Sequence, residues 1–145
     1  MMIEQDTVRL LRECDAGITM GIDSIEDVLD RIKSNRLRDM LTQCQREHQK
    51  LRAEVARLLA QYQDDGKAPN PIAKGMSWMK TNMKMTMEGT DATVADLMTD
   101  GCNMGVKSLN KYLNQYKAAD EQSKDIAKQL IDLEHQLTLD LRRFL

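Results

Sequence analysis

Aromatic side chains are nearly missing from this chain, with one Trp, one Phe and three Tyr in 145 residues. So few rings leave little for base stacking. The net charge is −2 with acids and bases interleaved, so no basic patch or arm is available to attract nucleic acid. No apolar run approaches the ~20 residues that a membrane-spanning helix needs. The opening Met1-Met2-Ile3-Glu4-Gln5-Asp6 shows no basic segment followed by an apolar one, so no secretory signal is expected. The three cysteines, Cys14, Cys44 and Cys102, are far apart and odd in number. That spacing argues against a disulfide framework and fits a reducing, cytoplasmic compartment. No nucleophile–base pair, Gly-rich phosphate loop or paired-carboxylate motif is present, and no cofactor is called for. Asp64-Asp65-Gly66 resembles a piece of a calcium loop but lacks the repeated acids and the terminal Glu.

Helical periodicity is abundant. Hydrophobic residues make up 41% and charged residues 30%, the balance of a globular chain. A chain of this size fits one domain, 1–145, able to bury a core without staples. Val8, Leu11, Asp15, Ile18, Ile22, Ile25, Leu29 and Ile32 recur in steps of three and four, a heptad seam that predicts a helix from about 3 to 33. Ser34-Asn35 breaks the pattern with turn-forming, capping residues. A second seam, Leu37, Leu41, Cys44, His48, Leu51, Val55, Leu58 and Tyr62, predicts a helix over 36–63. So short a connection makes the first two helices antiparallel neighbours.

The clearest loop is 64–71, where Gly66, Pro69 and Pro71 end one helix and open another. A shorter crossover helix over 71–87 carries a stripe of Ile72, Met76, Met79, Met83 and Met87. Thr90 or Asp91 then caps a helix over 92–117 with Val94, Met98, Cys102, Gly105, Leu109, Tyr112 and Tyr116 on its seam. Asp120 caps the last helix, 120–143, whose apolar face is Ile126, Leu130, Leu133, Leu137, Leu141 and Phe144.

Met20-Gly21-Ile22-Asp23-Ser24-Ile25 returns as Met104-Gly105-Val106-Lys107-Ser108-Leu109, each copy followed by a second helix. The chain therefore reads as one helical hairpin used twice. Two hairpins joined by one long crossover form an all-α, ferritin-like antiparallel four-helix bundle with an extra crossover helix. Gly17 and Gly21, and Gly101 and Gly105, are four apart on one helix face, where they let another helix approach closely or leave room for a ligand.

A di-metal bundle of this kind draws one Glu from each of two helices and Glu-x-x-His from each of the other two. The only histidines are His48 and His135, in the strings Gln45-Arg46-Glu47-His48 and Asp132-Leu133-Glu134-His135. His48 is on its seam, but Gln45 stands three before it and Glu47 turns away. Asp132 and His135 have the right mutual spacing but fall opposite the apolar stripe. Asp15 is the one seam acid of the first helix, and it lies nearer Val55 than His48. The expectation is that a carboxylate-bridged di-metal site is missing its ligands.

The segments Asn70-Pro71-Ile72-Ala73 through Trp78-Met79, and Thr99-Asp100-Gly101-Cys102-Asn103-Met104-Gly105-Val106-Lys107, resemble a bacterial ferritin-like family of unknown function. In that family a small-residue helix carrying Trp precedes a helix with a Gly-Glu-Asp-Ala-Ala-like segment. The resemblance implies an architecture similar to rubrerythrin and ferritin. Here Cys102 and Asn103 stand where the family has acids, Ile18 or Thr19 in the matching place of the first helix, and Leu137 where a second His is expected.

Three functional readings follow. The first is a non-catalytic bundle acting through another protein or as a homo-oligomer, a dimer being the simplest. The second is soft-metal (Cu/Zn) binding by Cys44, His48 and Cys102, which fall at similar levels, with Met76, Met79, Met83, Met85 and Met87 as a thioether ladder. The third is a degenerate di-metal oxidoreductase.

Overall fold

The computed structural model describes residues 2–64, 66 and 90–145. Among the described residues there are four α-helices, α1 (Met2–Leu29), α2 (Asn35–Gln61), α3 (Asp91–Gln115) and α4 (Glu121–Leu141), followed by a 3-10 turn, Arg142–Phe144. No strand occurs among the described residues. The fold is all-helical and consistent with a helical bundle. The predicted crossover helix over 71–87 lies outside the described residues.

The second, third and fourth of these helices each begin where a short polar side chain can take an orphan N–H. Ser34 Oγ accepts from Leu37 N at 3.2 Å, Thr90 Oγ1 from Thr93 N at 3.2 Å, and an Asp120 carboxylate oxygen from Ser123 N at 2.8 Å. The first helix stops at Leu29, earlier than its seam suggests. The reason is long-range: the Asp91 carboxylate accepts from both Lys33 N and Ser34 N at 2.9 Å, taking N–H groups that a longer helix would use. Ile32 stays buried although it has left the helix.

That contact has a counterpart at the other end of the molecule. Asp6 accepts from Ala118 N at 3.0 Å and Thr7 Oγ1 from Asp120 N at 2.8 Å. The first helix of each half thus uses residues near its start to hold the turn of the other half. The reciprocity follows the sequence repeat.

Within the first half, Gly21 faces His48, Gln45 reaches the Ile22 carbonyl, and Arg12 meets Asp64. The Arg12 guanidinium donates to both Asp64 oxygens at 3.0 Å, and Asp64 also accepts from Gly66 N at 2.8 Å. The acid that resembled a calcium ligand is therefore a clamp for the end of α2. Gly66 has φ +90°, and a methyl there would strike the Asp15 carboxylate, so glycine is required on both counts.

The core is in two pieces. One contains Ile25, Val28, Leu37, Leu41, Cys44, Leu97, Met98, Cys102, Leu137 and Leu141. The other contains Leu10, Leu11, Cys14, Ile18, Ile22, Leu51, Val55, Leu109, Ile126 and Leu130. All four helices contribute to each. The division falls between Ile22 and Ile25 on α1, Cys44 and Leu51 on α2, Cys102 and Leu109 on α3, and Leu130 and Leu137 on α4.

Candidate functional site

That dividing layer holds the polar residues. His48 sits in the interval on α2, Gly105 in that on α3 and Glu134 in that on α4, with Gly21 beside the interval on α1. His48 is 2% exposed. Its Nδ1 lies 2.9 Å from the Cys44 carbonyl oxygen. A carbonyl only accepts, so Nδ1 carries the proton and donates. In the neutral ring Nε2 is then a bare acceptor. Nε2 is buried and has no hydrogen-bond partner among the described residues. Burial holds the imidazole below its usual pKa, partly offset by the hydrogen bond to Cys44.

The ring fits because position 21 is glycine. A methyl on Gly21 would fall 2.9 Å from both Cδ2 and Nε2 of His48. The other half repeats the device with a carboxyl in place of the ring. A methyl on Gly105 would fall 2.5 Å from one Glu134 oxygen and 2.9 Å from the other. Glu134 is partly buried and has no hydrogen-bond partner among the described residues. Burial alone pushes its carboxyl up to about 8. The two repeat glycines therefore make room for side chains of the following helix rather than for close helix backbones. Gly17 has nothing within 4 Å of where a side chain would begin, so close helix approach does not explain it.

Cys44, His48 and Cys102 are all buried. Cys44 Sγ is 3.6 Å from His48 Nδ1, the nitrogen already bonded to the Cys44 carbonyl, and so lies away from the free Nε2. Burial raises Cys14 and Cys44 to about 12 and Cys102 further, with the Glu134 charge contributing to all three. These thiols are protonated at neutral pH. Among the described residues no three His, Cys, Asp or Glu side chains lie close enough together to hold a metal ion. Met76, Met79, Met83, Met85 and Met87 lie outside the described residues.

His135 and Asp132 are exposed, as their place opposite the apolar stripe suggests. Gln45 is buried and donates to the Ile22 carbonyl at 3.2 Å and to Glu26 at 3.1 Å. Glu47 faces outward, accepting from Gln43 and Lys50. Asn103 is exposed and Leu137 is buried.

Glu134 is the residue the sequence reading missed. The string containing it drew attention to His135, whereas the inward pair on α4 is Glu134 and Leu137. Two signals point to it. Glu134 is three before Leu137 and four after Leu130, so it fits the heptad seam as well as Leu133 does. It also follows Gly105 by 29 residues, much as His48 follows Gly21 by 27.

The surface among the described residues offers two exposed large apolar side chains, Met104 at 58% and Leu145 at 61%. No helix of the described residues is long and apolar enough to cross a membrane. Comparison with known proteins adds no relative: no protein-family model, no curated protein and no solved structure matches this chain.

Proposed function

We propose that this chain is a ferritin-like bundle of two antiparallel hairpins, of the bacterial family it resembles, that has given up di-metal chemistry and acts through protein contact. The supporting observation is the content of the polar layer. A di-metal bundle needs Glu-x-x-His on two helices. The inward i, i+3 pairs here are Gln45 with His48 on α2 and Glu134 with Leu137 on α4. Each helix keeps one half of the motif, and not the same half. Ile18 and Cys102, both buried, stand in place of the remaining acids. One neutral imidazole and one carboxyl, surrounded by protonated thiols, supply no bridging carboxylate pair.

With the interior committed to packing, recognition falls to the surface. Met104 and Leu145 are its exposed apolar points, and apolar exposure of this kind marks contact surfaces when it is continuous with a larger patch. Self-association is the simplest form of contact.

Light scattering on a sizing column, with elemental analysis of protein purified without chelator, tests the reading. A dimer or larger species, shifted toward monomer by Met104→Lys or Leu145→Lys, is expected, with less than one equivalent of metal. A strictly monomeric protein carrying two equivalents of iron or manganese would overturn it. Tight zinc or copper binding by the reduced protein, lost in Cys44→Ala and Cys102→Ala, would favour the soft-metal reading instead.

A further inference from the structure

We propose that the side of the bundle formed by α2 and α4 docks a second copy of this chain, the two copies being related by a two-fold axis along the bundle and held by opposite charges at three levels. This rests on self-association being the form of contact, and it gives that contact a surface and a symmetry.

Two rows of exposed charge carry the inference. Asp39, Lys50 and Arg57 form one on α2, and Asp125 and Asp132 on α4 form the other, continued by Arg143 in the 3-10 turn. The spacings are 11 and 7 residues along α2, and 7 and 11 along α4. These intervals are roughly three and two helical turns, so each row keeps to one side of its helix. Gln45 and His48 mark the flank of α2 that faces α1, through Ile22 and Gly21, and the row on α2 is turned away from it. Glu134 marks the flank of α4 that faces Gly105 on α3, and Asp125 and Asp132 are turned away from that flank. Since α2 and α4 pack on each other, both rows open on one side. Among the described residues Asp39, Arg57, Asp125, Asp132 and Arg143 make no ion pair. Lys50 has only Glu47 at 3.2 Å, an exposed contact that is readily exchanged.

The levels of the two rows match, because α2 and α4 pass through the two core clusters in opposite order. Arg57 and Asp125 stand beside the cluster that holds Leu58 and Ile126. Lys50 and Asp132 both fall in the dividing layer, between Cys44 and Leu51 on α2 and between Leu130 and Leu137 on α4. Asp39 and Arg143 stand beside the cluster that holds Leu41 and Leu141. A two-fold axis parallel to the helices carries α2 of one copy onto α4 of the other and leaves every level where it was. Each level then sets a cation against an acid, and each pair occurs twice. An axis across the helices through the dividing layer would instead lay α2 on α2, bringing Lys50 of one copy toward Arg46 of the other, like against like. Exposed pairs of this kind contribute little each and are screened by salt, so they set partner and register more than strength.

Sedimentation equilibrium of the full chain at low and high salt tests this. A dimer is expected at low salt, with a Kd that rises with ionic strength. Arg57→Glu sets acid against acid and Asp125→Arg sets base against base, and each should raise the Kd about tenfold or more. Combining the two substitutions should return the Kd to the wild-type value, a rescue that misfolding does not give. A dimer that ignores both single reversals would overturn the proposal, as would a double variant no tighter than the singles. Either result leaves self-association through Met104 or Leu145 standing. A wild-type chain that stays monomeric at every salt concentration would overturn both.

Discussion

The imidazole of His48 occupies the space that a side chain on Gly21 would need, with Cδ2 and Nε2 both 2.9 Å from that position. Glu134 stands in the same relation to Gly105. The duplicated sequence thus encodes a duplicated structural device, a glycine on the first helix of each half that admits a polar side chain from the second.

This relation separates glycines that look equivalent in sequence. Gly21→Ala should push the His48 ring from its place and destabilise the protein by about 1–3 kcal/mol. Gly17→Ala meets only open space. It should be neutral or stabilising by up to about 1 kcal/mol, through helix propensity alone. Urea denaturation of the two variants checks the contrast.

The bare Nε2 of His48 predicts an acid-sensitive bundle. The ring is depressed on folding, so its contribution is present above its unfolded value of 6.5 and is lost as pH falls through the lower folded value. His48→Leu removes a buried acceptor whose lack of a partner costs about 1–3 kcal/mol, while keeping most of the volume. The variant should be at least as stable as wild type at pH 7. It should lose less stability than wild type between pH 6.5 and 5. His48→Ala, which leaves a cavity, should instead lose about 2–5 kcal/mol.

Asp91 and Asp6 hold opposite turns. Asp91→Ala would strip the partner from Lys33 N and Ser34 N, and Asp6→Ala from Ala118 N. Each should cost about 1–3 kcal/mol. Amide hydrogen exchange should accelerate at residues 33 and 34 in the first variant and at 118 in the second. The double variant should show additive losses, since the two contacts are at opposite ends of the bundle.

The three thiols are buried and displaced upward. Reaction with a thiol reagent at pH 8 should be slow in native protein and should capture three thiols at once in denaturant. Rapid modification of one cysteine in the native state would show a local opening around that helix.

Much of this architecture was legible beforehand. On the second helix the seam residues Leu37, Leu41, Cys44, His48, Leu51, Val55 and Leu58 are all buried. The capping roles of Ser34, Thr90 and Asp120 were likewise written in local residue types. The seams were too narrow, however. Leu10, Cys14, Val28, Leu59, Leu97 and Ala127 are also buried, because a bundle helix buries a broader face than a two-position stripe.

The polar layer was only half legible. His48 stood on its seam and declared itself, whereas Glu134 was masked by an apolar neighbour, Leu133, that fits the stripe almost as well. Choosing between adjacent residues requires the rotation of α4 about its own axis. Packing against the other three helices sets that rotation.

The four described helices, the caps of the last three and the repeat were determined by the sequence itself, because periodicity and local hydrogen-bonding chemistry act over a few residues. The tertiary structure decided which glycine meets which side chain, where α1 stops and which acid turns inward. Those outcomes depend on groups distant in the chain, Asp91 against Lys33 and Gly105 against Glu134. No local pattern contains the contact that decides them.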